Sequence, residues 1–581
     1  MDLLPARVRS LRVHPALLGA AAVVLLSAFA YAPLLGGGML FTGDTLHPMR
    51  LFAMDRCFDD GQFPCRWSPD LGNGYGFPLF NYYPPLPYYA GELLHELGFS
   101  YLATVNALYL IGLAGAALSM YVLARRLWGE LGGVVSAVAY VYAPYLALDV
   151  YMRGALVELW ALAVAPALLW AVLELVTTAR ARFVPLVALL LALLLLSHNL
   201  VAVIVAPAVA IWAAGLLALH GREAVRPALL GVAAAAWGFG LAAFFTLPVL
   251  LEGDLVQLDS LTSGPFRYDN NYASLGDLFL LRTNDYSFLL GVRDGTPLQI
   301  GWFHWAFAGL SLPAAALLWR RDARVGALAA GVFAACFAIG VFMSVPASGA
   351  IWATFDPLRF LQFPWRYLGL VSIGAAGLAG AWLALLRERP LRAQLGVAAV
   401  LVGVFVGTGE HFFQPFHRCQ APAAEQALDC PGNDGEYFAP ERFYTHQQGS
   451  VRDYLPVAVD EVPESPPEAP ARVVEGSGRV APVDDATSDG LRFRVEAETA
   501  VVVEAAVFDF DGWQARIDGR NVAHTASVPS GLITLDLASG RYDVELRLEG
   551  TAARTAGNWL SLASWGALVL GVPLVRALRR G

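Results

Sequence analysis

The chain has 581 residues, 57% of them apolar and 15% charged, with a mean hydropathy of +0.53, whereas soluble domains carry about 25% charged residues. That excludes a soluble enzyme, and 12% aromatics spread through long apolar runs exclude disordered, collagen-like and disulfide-framework chains. The formal charge of −9 is uneven: residues 410–556 hold 25 acidic residues and 12 arginines, a local −13, which argues against nucleic acid as a partner of that segment.

Apolar runs of spanning length, about 20 residues each, lie near 14–35, 103–124, 131–148, 155–177, 183–197, 200–219, 228–250, 300–319, 325–345, 365–386, 394–409 and 557–577. They predict a multi-pass α-helical membrane protein of about twelve spans. Ser197-His198-Asn199 divides the pair 183–197 and 200–219, which reads either as a tight hairpin or as one kinked helix. Arginine clusters at 7–12, 125–126, 180–182, 222–226, 320–324, 387–392 and 576–580 all fall on one side under this topology. Basic residues near span ends favour the cytoplasm, so both termini are predicted cytoplasmic and the long connections external; the absence of lysine beside abundant Ala, Gly and Arg reads as a GC-rich bacterial genome, and so as a bacterial inner membrane. Residues 14–35 follow arginines as a signal peptide does but lack a clean small-residue cleavage site, and read as an uncleaved first span.

This divides the chain into a transmembrane domain over 1–409 with a large first external loop (36–102), a connector (410–472), an external domain (473–556) and a last span with a basic tail (557–581). The connector ends in a Pro/Glu-rich stretch, 460–472, expected to be stiff and solvated. In the external domain, segments beginning at Leu491, Ala500, Trp513, Leu532 and Tyr542 alternate at period two between turns such as Asp518-Gly519 and Ser539-Gly540. They predict a small antiparallel β-sandwich ahead of the last span. Four cysteines fall in two close pairs, Cys57/Cys65 and Cys419/Cys430, both external. Local disulfides are expected of them in preference to a metal site drawn from loops some 350 residues apart.

Chemistry is sought in the first external loop. Asp44 lies just past the first span, before a helical-looking stretch from Leu46 to Phe52 that can lie along the membrane surface. A carboxylate there can reach both a lipid headgroup and water, although Asp44 or Thr45 can equally cap the helix. Asp149 and Arg153 occupy a short loop between two spans, Glu158 lies one turn into the next, and His198-Asn199 tops the following hairpin. Ionisable groups at membrane depth tend to mark substrate pathways, but Asp149 and Arg153 also suit a structural ion pair and His198 an interhelical hydrogen bond. Arg366, beside Trp365 and with Arg359 shortly before it, sits where inward positive bias would not put it. It suits a lipid phosphate or a snorkelling anchor. Tyr82, Tyr83 and the rest of the Tyr/Pro run 80–89 suit a sugar-stacking platform or an aromatic belt.

The series Gly43-Asp44, Arg66-Trp67-Ser-Pro, Gly74-Tyr-Gly-Phe-Pro-Leu-Phe-Asn-Tyr-Tyr-Pro-Pro, Phe363-Pro-Trp-Arg, Asp453-Tyr-Leu-Pro and Gly512-Trp-Gln-Ala-Arg-Ile-Asp-Gly resembles the YfhO-type bacterial membrane proteins. It is closest to the branch labelled 6-pyruvoyl-tetrahydropterin synthase-related. The resemblance covers most of the chain and implies a GT-C-like architecture. It also implies transfer of a sugar from a polyprenyl-phosphate donor by an acidic base in the first external loop, the position of Asp44. The tandem acidic pair of several GT-C families is absent, since Thr45 follows Asp44.

The expected reaction is therefore inverting glycosyl transfer to a lipid, glycan or protein acceptor. Asp44 serves as base with His47 assisting, and Arg366, with Arg153 or Arg359, stabilises the leaving phosphate. Asp44 and Arg366 are expected to flank one cavity. No cofactor is required, and a divalent metal can be accommodated but is not needed. The alternative is a non-catalytic translocator of lipid-linked sugar, or a scaffold of envelope polysaccharide assembly.

Overall fold

The computed structural model describes residues 14–40, 42–280, 298–414, 431–439, 443, 454–483 and 486–578, the last seven by backbone only. Helix α1 (Pro15–Leu26) opens with proline at its first position, where no intrahelical partner for an N–H is needed. It bends by 51° into Ala28–Gly36. The first loop then folds into two longer helices, α2 (His47–Asp59) and α3 (Leu86–His95), with a single helical turn, Leu79–Tyr82, between them. α2 is not a surface helix: Met49, Leu51, Met54 and Cys57 are fully buried, because α3, the next long helix and the β region surround it.

That next helix, α4 (Tyr101–Trp128), is capped by the Ser100 hydroxyl, which accepts from the Ala103 N–H, and is stopped by Gly129 at φ 85°. It packs along α5 (Glu130–Val141). A short helix, α6 (Pro144–Leu148), runs directly into a π-helical turn, Asp149–Arg153, ended by Gly154 in the left-handed conformation. α7 (Leu156–Thr178) returns against α4. The expected loop at 149–153 is thus helical and fully inside the bundle, because Val150, Tyr151 and Met152 bury their side chains in the core.

α8 (Val184–Ser197) and α9 (Asn199–His220) are separated by His198, whose backbone is extended. Trp212 on α9 donates to the Leu169 carbonyl on α7 at 3.0 Å, while His198 lies beside Glu158 at the start of α7. α7 and α9 therefore run in the same direction and α8 must run back between them, which makes 183–219 a hairpin.

α10 (Val225–Leu241) and α11 (Ala243–Leu251) follow, and α12 (Trp302–Arg320), α13 (Arg324–Ser344), α14 (Leu368–Ala379) and α15 (Leu391–Gly409) complete the first bundle. The last helix, α16 (Ala552–Leu578), returns to α10 and α11. Among the described residues, six helical runs are long and apolar enough to cross a membrane, eight if two bent pairs count as single spans, beside the shorter apolar helix Ala181–Ser197. These stand against the twelve expected.

The C-terminal β region forms two antiparallel sheets. One holds β1 (Ala471–Glu475), β4 (Val501–Phe508), β8 (Leu532–Leu537) and β7 (Thr525–Ala526) in the order β1-β4-β8-β7. The other has the order β2-β3-β9-β5-β6, from β2 (Gly478–Pro482), β3 (Gly490–Ala497), β5 (Trp513–Ile517), β6 (Arg520–Val522) and β9 (Gly540–Leu548). Asp518 and Gly519 both have positive φ, as a two-residue hairpin between β5 and β6 requires.

The inward residues of both sheets, Phe493, Val503, Leu535 and Val544 among them, share one core with Trp67, Phe77 and Phe80 of the first loop. Trp67 meets Trp513 edge-on at 5.3 Å, and Gly76 can be nothing larger, since a Cβ there would lie 2.3 Å from the Trp67 Nε1. The Pro/Glu stretch is not a free linker either. Asn73 and Tyr75 of the first loop donate to the carbonyls of Pro463 and Ser465 at 2.9 and 3.3 Å.

Candidate functional site

Asp44 sits in the turn that feeds α2. Its Oδ1 accepts from the Leu46 N–H at 3.1 Å, which shapes the turn, but the cap position itself belongs to Leu46. Its Oδ2 accepts from Arg50 Nη1 at 2.7 Å. Arg50 is one turn along α2 from His47, so the helix points it back at the carboxylate, and its guanidinium lies 4.3 Å over the ring of Tyr83. Burial works to raise the Asp44 carboxyl. Arg50, His47 and the Leu46 N–H outweigh it and hold the group below the usual carboxylate range.

His47 Nε2 is 2.5 Å from the Gly154 carbonyl, which can only accept, so Nε2 carries the proton and Nδ1 receives the Tyr88 hydroxyl at 2.8 Å. Burial lowers the imidazole below its ordinary value, with Arg50 acting the same way against the pull of Asp44. His47 is therefore neutral at neutral pH, with both nitrogens engaged. This geometry suits fixing α2 better than exchanging protons.

A second group of charges lies behind the π-helical turn. Arg153 Nη1 donates to Asp149 Oδ1 and, at 2.9 Å, to Glu158 Oε2, while Tyr145 donates to Glu158 Oε1 at 2.5 Å. Arg366 comes from the turn Pro364–Tyr367. It does not face outward: its Nε lies 3.5 Å from Glu158 Oε2, and Nη1 donates to the Leu361 carbonyl at 3.0 Å. A carboxylate already buried at Glu158 draws the guanidinium inward. Trp365 covers Arg153 at 4.6 Å, and buried His198 lies within electrostatic range of Arg366 and Glu158. Asn199 starts α9 next to it, accepting from the Leu200 N–H.

The structure thus gathers Asp149, Arg153, Glu158, Trp365, His198 and Arg366 into one charge-balanced group, and Asp44, His47, Arg50, Tyr83 and Tyr88 into another. They touch through backbone. Gly43 N–H donates to the Met152 carbonyl at 2.7 Å, and Gly154, at φ 67°, has room for no side chain because a Cβ would lie 2.3 Å from Thr42 Oγ1.

The recess beside Asp44 is lined by Leu40, Thr42, His47, Asn106 and Tyr109, among others, and by none of Arg153, Glu158 or Arg366. A larger apolar cavity of about 280 Å³ lies between α9 and α13, with Tyr367 in its wall.

Two expected members stand apart. Arg359 is exposed and pairs with Asp356 at 3.1 Å, on a short helix that leaves the bundle surface. Tyr82 turns away from Tyr83 and donates to the Glu252 carbonyl at 2.7 Å, because neighbours in a helical turn face different sides. The run 80–89 therefore lines no single surface.

Cys57 and Cys65 form a disulfide with a Cα–Cα distance of 5.5 Å. Cys419 and Cys430 lie outside the described residues.

Arg50 and Gly154 were not singled out from the sequence, nor was a polar junction around Arg66, and Tyr88 entered only as part of the run 80–89. Arg66 donates to Asn81 at 2.7 Å, to the Phe244 carbonyl at 3.0 Å and to Asn558 of α16 at 2.7 Å. Beside it Arg554 pairs with Glu252 at 2.8 Å. Only the spacing of Arg50, three residues after His47, carried a local signal.

A family model for the 6-pyruvoyl-tetrahydropterin synthase-related domain, described as a membrane protein, matches residues 80–408, more than half of the chain. The chain belongs to the 6-pyruvoyl-tetrahydropterin synthase-related membrane proteins. The part matching this family holds Asp149, Arg153, Glu158, His198 and Arg366, whereas Asp44 and His47 precede it.

No curated protein matches the sequence. Among solved structures, the family member is similar to the arabinofuranosyltransferase AftD from mycobacteria, with 17% identity, a TM-score of 0.43, and 68% of this chain and 26% of that one covered. It is also similar to the Archaeoglobus fulgidus oligosaccharyltransferase, with 14% identity, a TM-score of 0.43, and 78% and 61% covered. The chain spans about a quarter of the length of the first. Similarity at this level fixes neither fold nor activity.

Proposed function

We propose that this membrane protein is a GT-C-like glycosyltransferase. It moves a sugar from a polyprenyl-phosphate donor to an envelope acceptor on the extracytoplasmic face, with inversion at the transferred carbon. The observation that carries the reading is Asp44: a carboxylate in the first loop, 28% exposed on its side chain, kept ionised by Arg50 and opening on a recess at the base of the bundle. As base, Asp44 takes the acceptor hydroxyl proton as the oxygen attacks the sugar and the phosphate departs with the bonding electrons. His47 positions α2. Arg50, bonded to Asp44 at 2.7 Å, is the nearest positive charge; for Arg366 or Arg153 to meet the departing phosphate, either must leave Glu158 and enter the recess, which neither lines here. The Cys57–Cys65 disulfide in the same loop supports an oxidising compartment.

A second reading, a translocator or scaffold for lipid-linked sugars, is favoured by the mutual pairing of the charges, since Asp44 and Glu158 already have arginine partners. Asp44→Asn separates the two. In membranes supplied with radiolabelled polyprenyl-phosphate sugar, a transferase loses turnover by about two orders of magnitude or more while donor binding persists. Unchanged transfer by the variant overturns the catalytic reading, and unchanged movement of lipid-linked sugar without any transfer favours the second.

A further inference from the structure

The far ends of α2 and α3 carry charges that neither group above uses. Asp55 lies on α2, Glu92 on α3, and Glu96 one turn beyond Glu92. One carboxylate oxygen from each lies within 4.8 Å of the other two. Glu92 is 1% exposed, and neither of its oxygens meets a hydrogen-bond donor among the described residues, the Asp55 carboxyl being its hydrogen-bonding neighbour. Three acidic groups crowd it, Asp55, Glu96 and Asp59, with His95 3.9 Å from Asp55. A buried carboxylate among like charges is strongly unfavourable unless it takes a proton or a cation joins them.

We propose that Asp55, Glu92 and Glu96 bind one calcium ion that clamps α2 to α3. Three carboxylates form an all-oxygen set, which suits a hard cation and not zinc. Two oxygens on opposite sides of an ion are separated by at most twice the metal–oxygen distance, about 4.6–5.2 Å for calcium and about 4.1 Å for magnesium. The three oxygens all lie within 4.8 Å of one another, which one calcium ion can bridge. Magnesium is seldom held by three protein carboxylates, because it gives up its water reluctantly.

Glu96 is exposed, so water can complete the six to eight ligands that calcium takes. Asp55 Oδ2 already receives the Tyr101 hydroxyl and lies 3.9 Å from His95 Nε2, which leaves Oδ1 for the ion. The clamp acts on the same two helices that meet at the His47–Tyr88 hydrogen bond, so calcium would steady the turn that carries Asp44. The site stands on these carboxylates alone and holds whether or not the protein transfers sugar.

The test uses the full-length protein in detergent, stripped with EGTA, with calcium chloride as the probe. Equilibrium dialysis with radioactive calcium should give one ion per chain, and calcium should raise the thermal midpoint. Glu92→Gln keeps the shape of the side chain and should weaken binding at least tenfold and abolish the midpoint shift. Its own midpoint should be no lower than that of calcium-free wild type, because a repelled buried charge has gone. Glu468→Gln in the exposed connector should change neither measurement.

Absence of calcium binding by wild type at millimolar concentration overturns the site, and is the result expected if a proton shared between Glu92 and Asp55 relieves the repulsion instead. Equal calcium binding by Glu92→Gln overturns it as well. An equal response to magnesium chloride overturns the assignment to calcium.

Discussion

Replacing Gly154 with alanine tests how the two charge groups are joined. The residue sits at φ 67° and ψ 33°, where an alanine costs roughly 1–2 kcal/mol. Its Cβ would lie 2.3 Å from Thr42 Oγ1 and 2.8 Å from the Asp44 carbonyl. Forcing those atoms apart adds about 1–3 kcal/mol, the usual cost of overpacking a filled site, so the loss in stability should be about 2–5 kcal/mol. Thr42→Ala alone removes the 3.0 Å hydrogen bond from Oγ1 to the Asp44 carbonyl, worth about 1 kcal/mol. In the double variant the worst clash is gone while the backbone cost and the contact with Asp44 remain. Its loss should fall about 1 kcal/mol or more below the sum of the single losses, as for residues in contact. Equilibrium unfolding in mixed micelles measures all three. A Gly154→Ala protein within about 0.5 kcal/mol of wild type, or strict additivity, would refute the close apposition of the 42–44 turn and the π-helical turn.

Three further outcomes are expected. Asp44, held below its ordinary value of 3.8, stabilises the fold above that value and loses the contribution as the pH falls through its lowered folded pKa. In Arg50→Met, burial dominates and raises the pKa instead, so the thermal midpoint should rise on acidification from neutral pH toward roughly pH 4, and a pH series parallel to wild type would contradict the pairing. Non-reducing peptide mapping should recover the Cys57–Cys65 link and a Cys419–Cys430 link, leaving buried Cys336 to alkylate only after unfolding; free thiols at 57 and 65 in protein isolated under alkylation count against the compartment. A reporter active only outside the cytoplasm should work when fused at residue 480 and fail at 223, and the reverse pattern would move Asp44 to the cytoplasmic side.

Much of the scaffold was legible because its signals are local. Period-two alternation marks β3, β4, β5, β8 and β9, and Asp518-Gly519 marks a hairpin in which both residues take positive φ. β1 begins where the proline-rich stretch ends, and β7 has two residues, too few for a period to register. Asp149 and Arg153 looked like a loop because they are charged, yet their spacing of four is that of one helical face. The pairing of Arg366 with Glu158, 208 residues away, leaves no trace in composition. The contact of Arg66 with Asn558, 492 residues away, leaves none either, since both depend on which helices become neighbours.

That last separation also bears on how the chain is made. Chains emerge at about 5–20 residues per second, so Asn558 appears roughly 25–100 s after Arg66. Before that, Asn73 waits for the Pro463 carbonyl, Gln62 for Ser488 and Trp67 for Trp513, in that order. A nascent first loop thus has its disulfide within reach and half of its core missing, with large aromatic rings exposed to water. A chain that terminates after α15 would keep most of its bundle and still strand that loop permanently. Quality control that binds exposed aromatic surface could therefore sense completion of the C-terminus by reading the first loop.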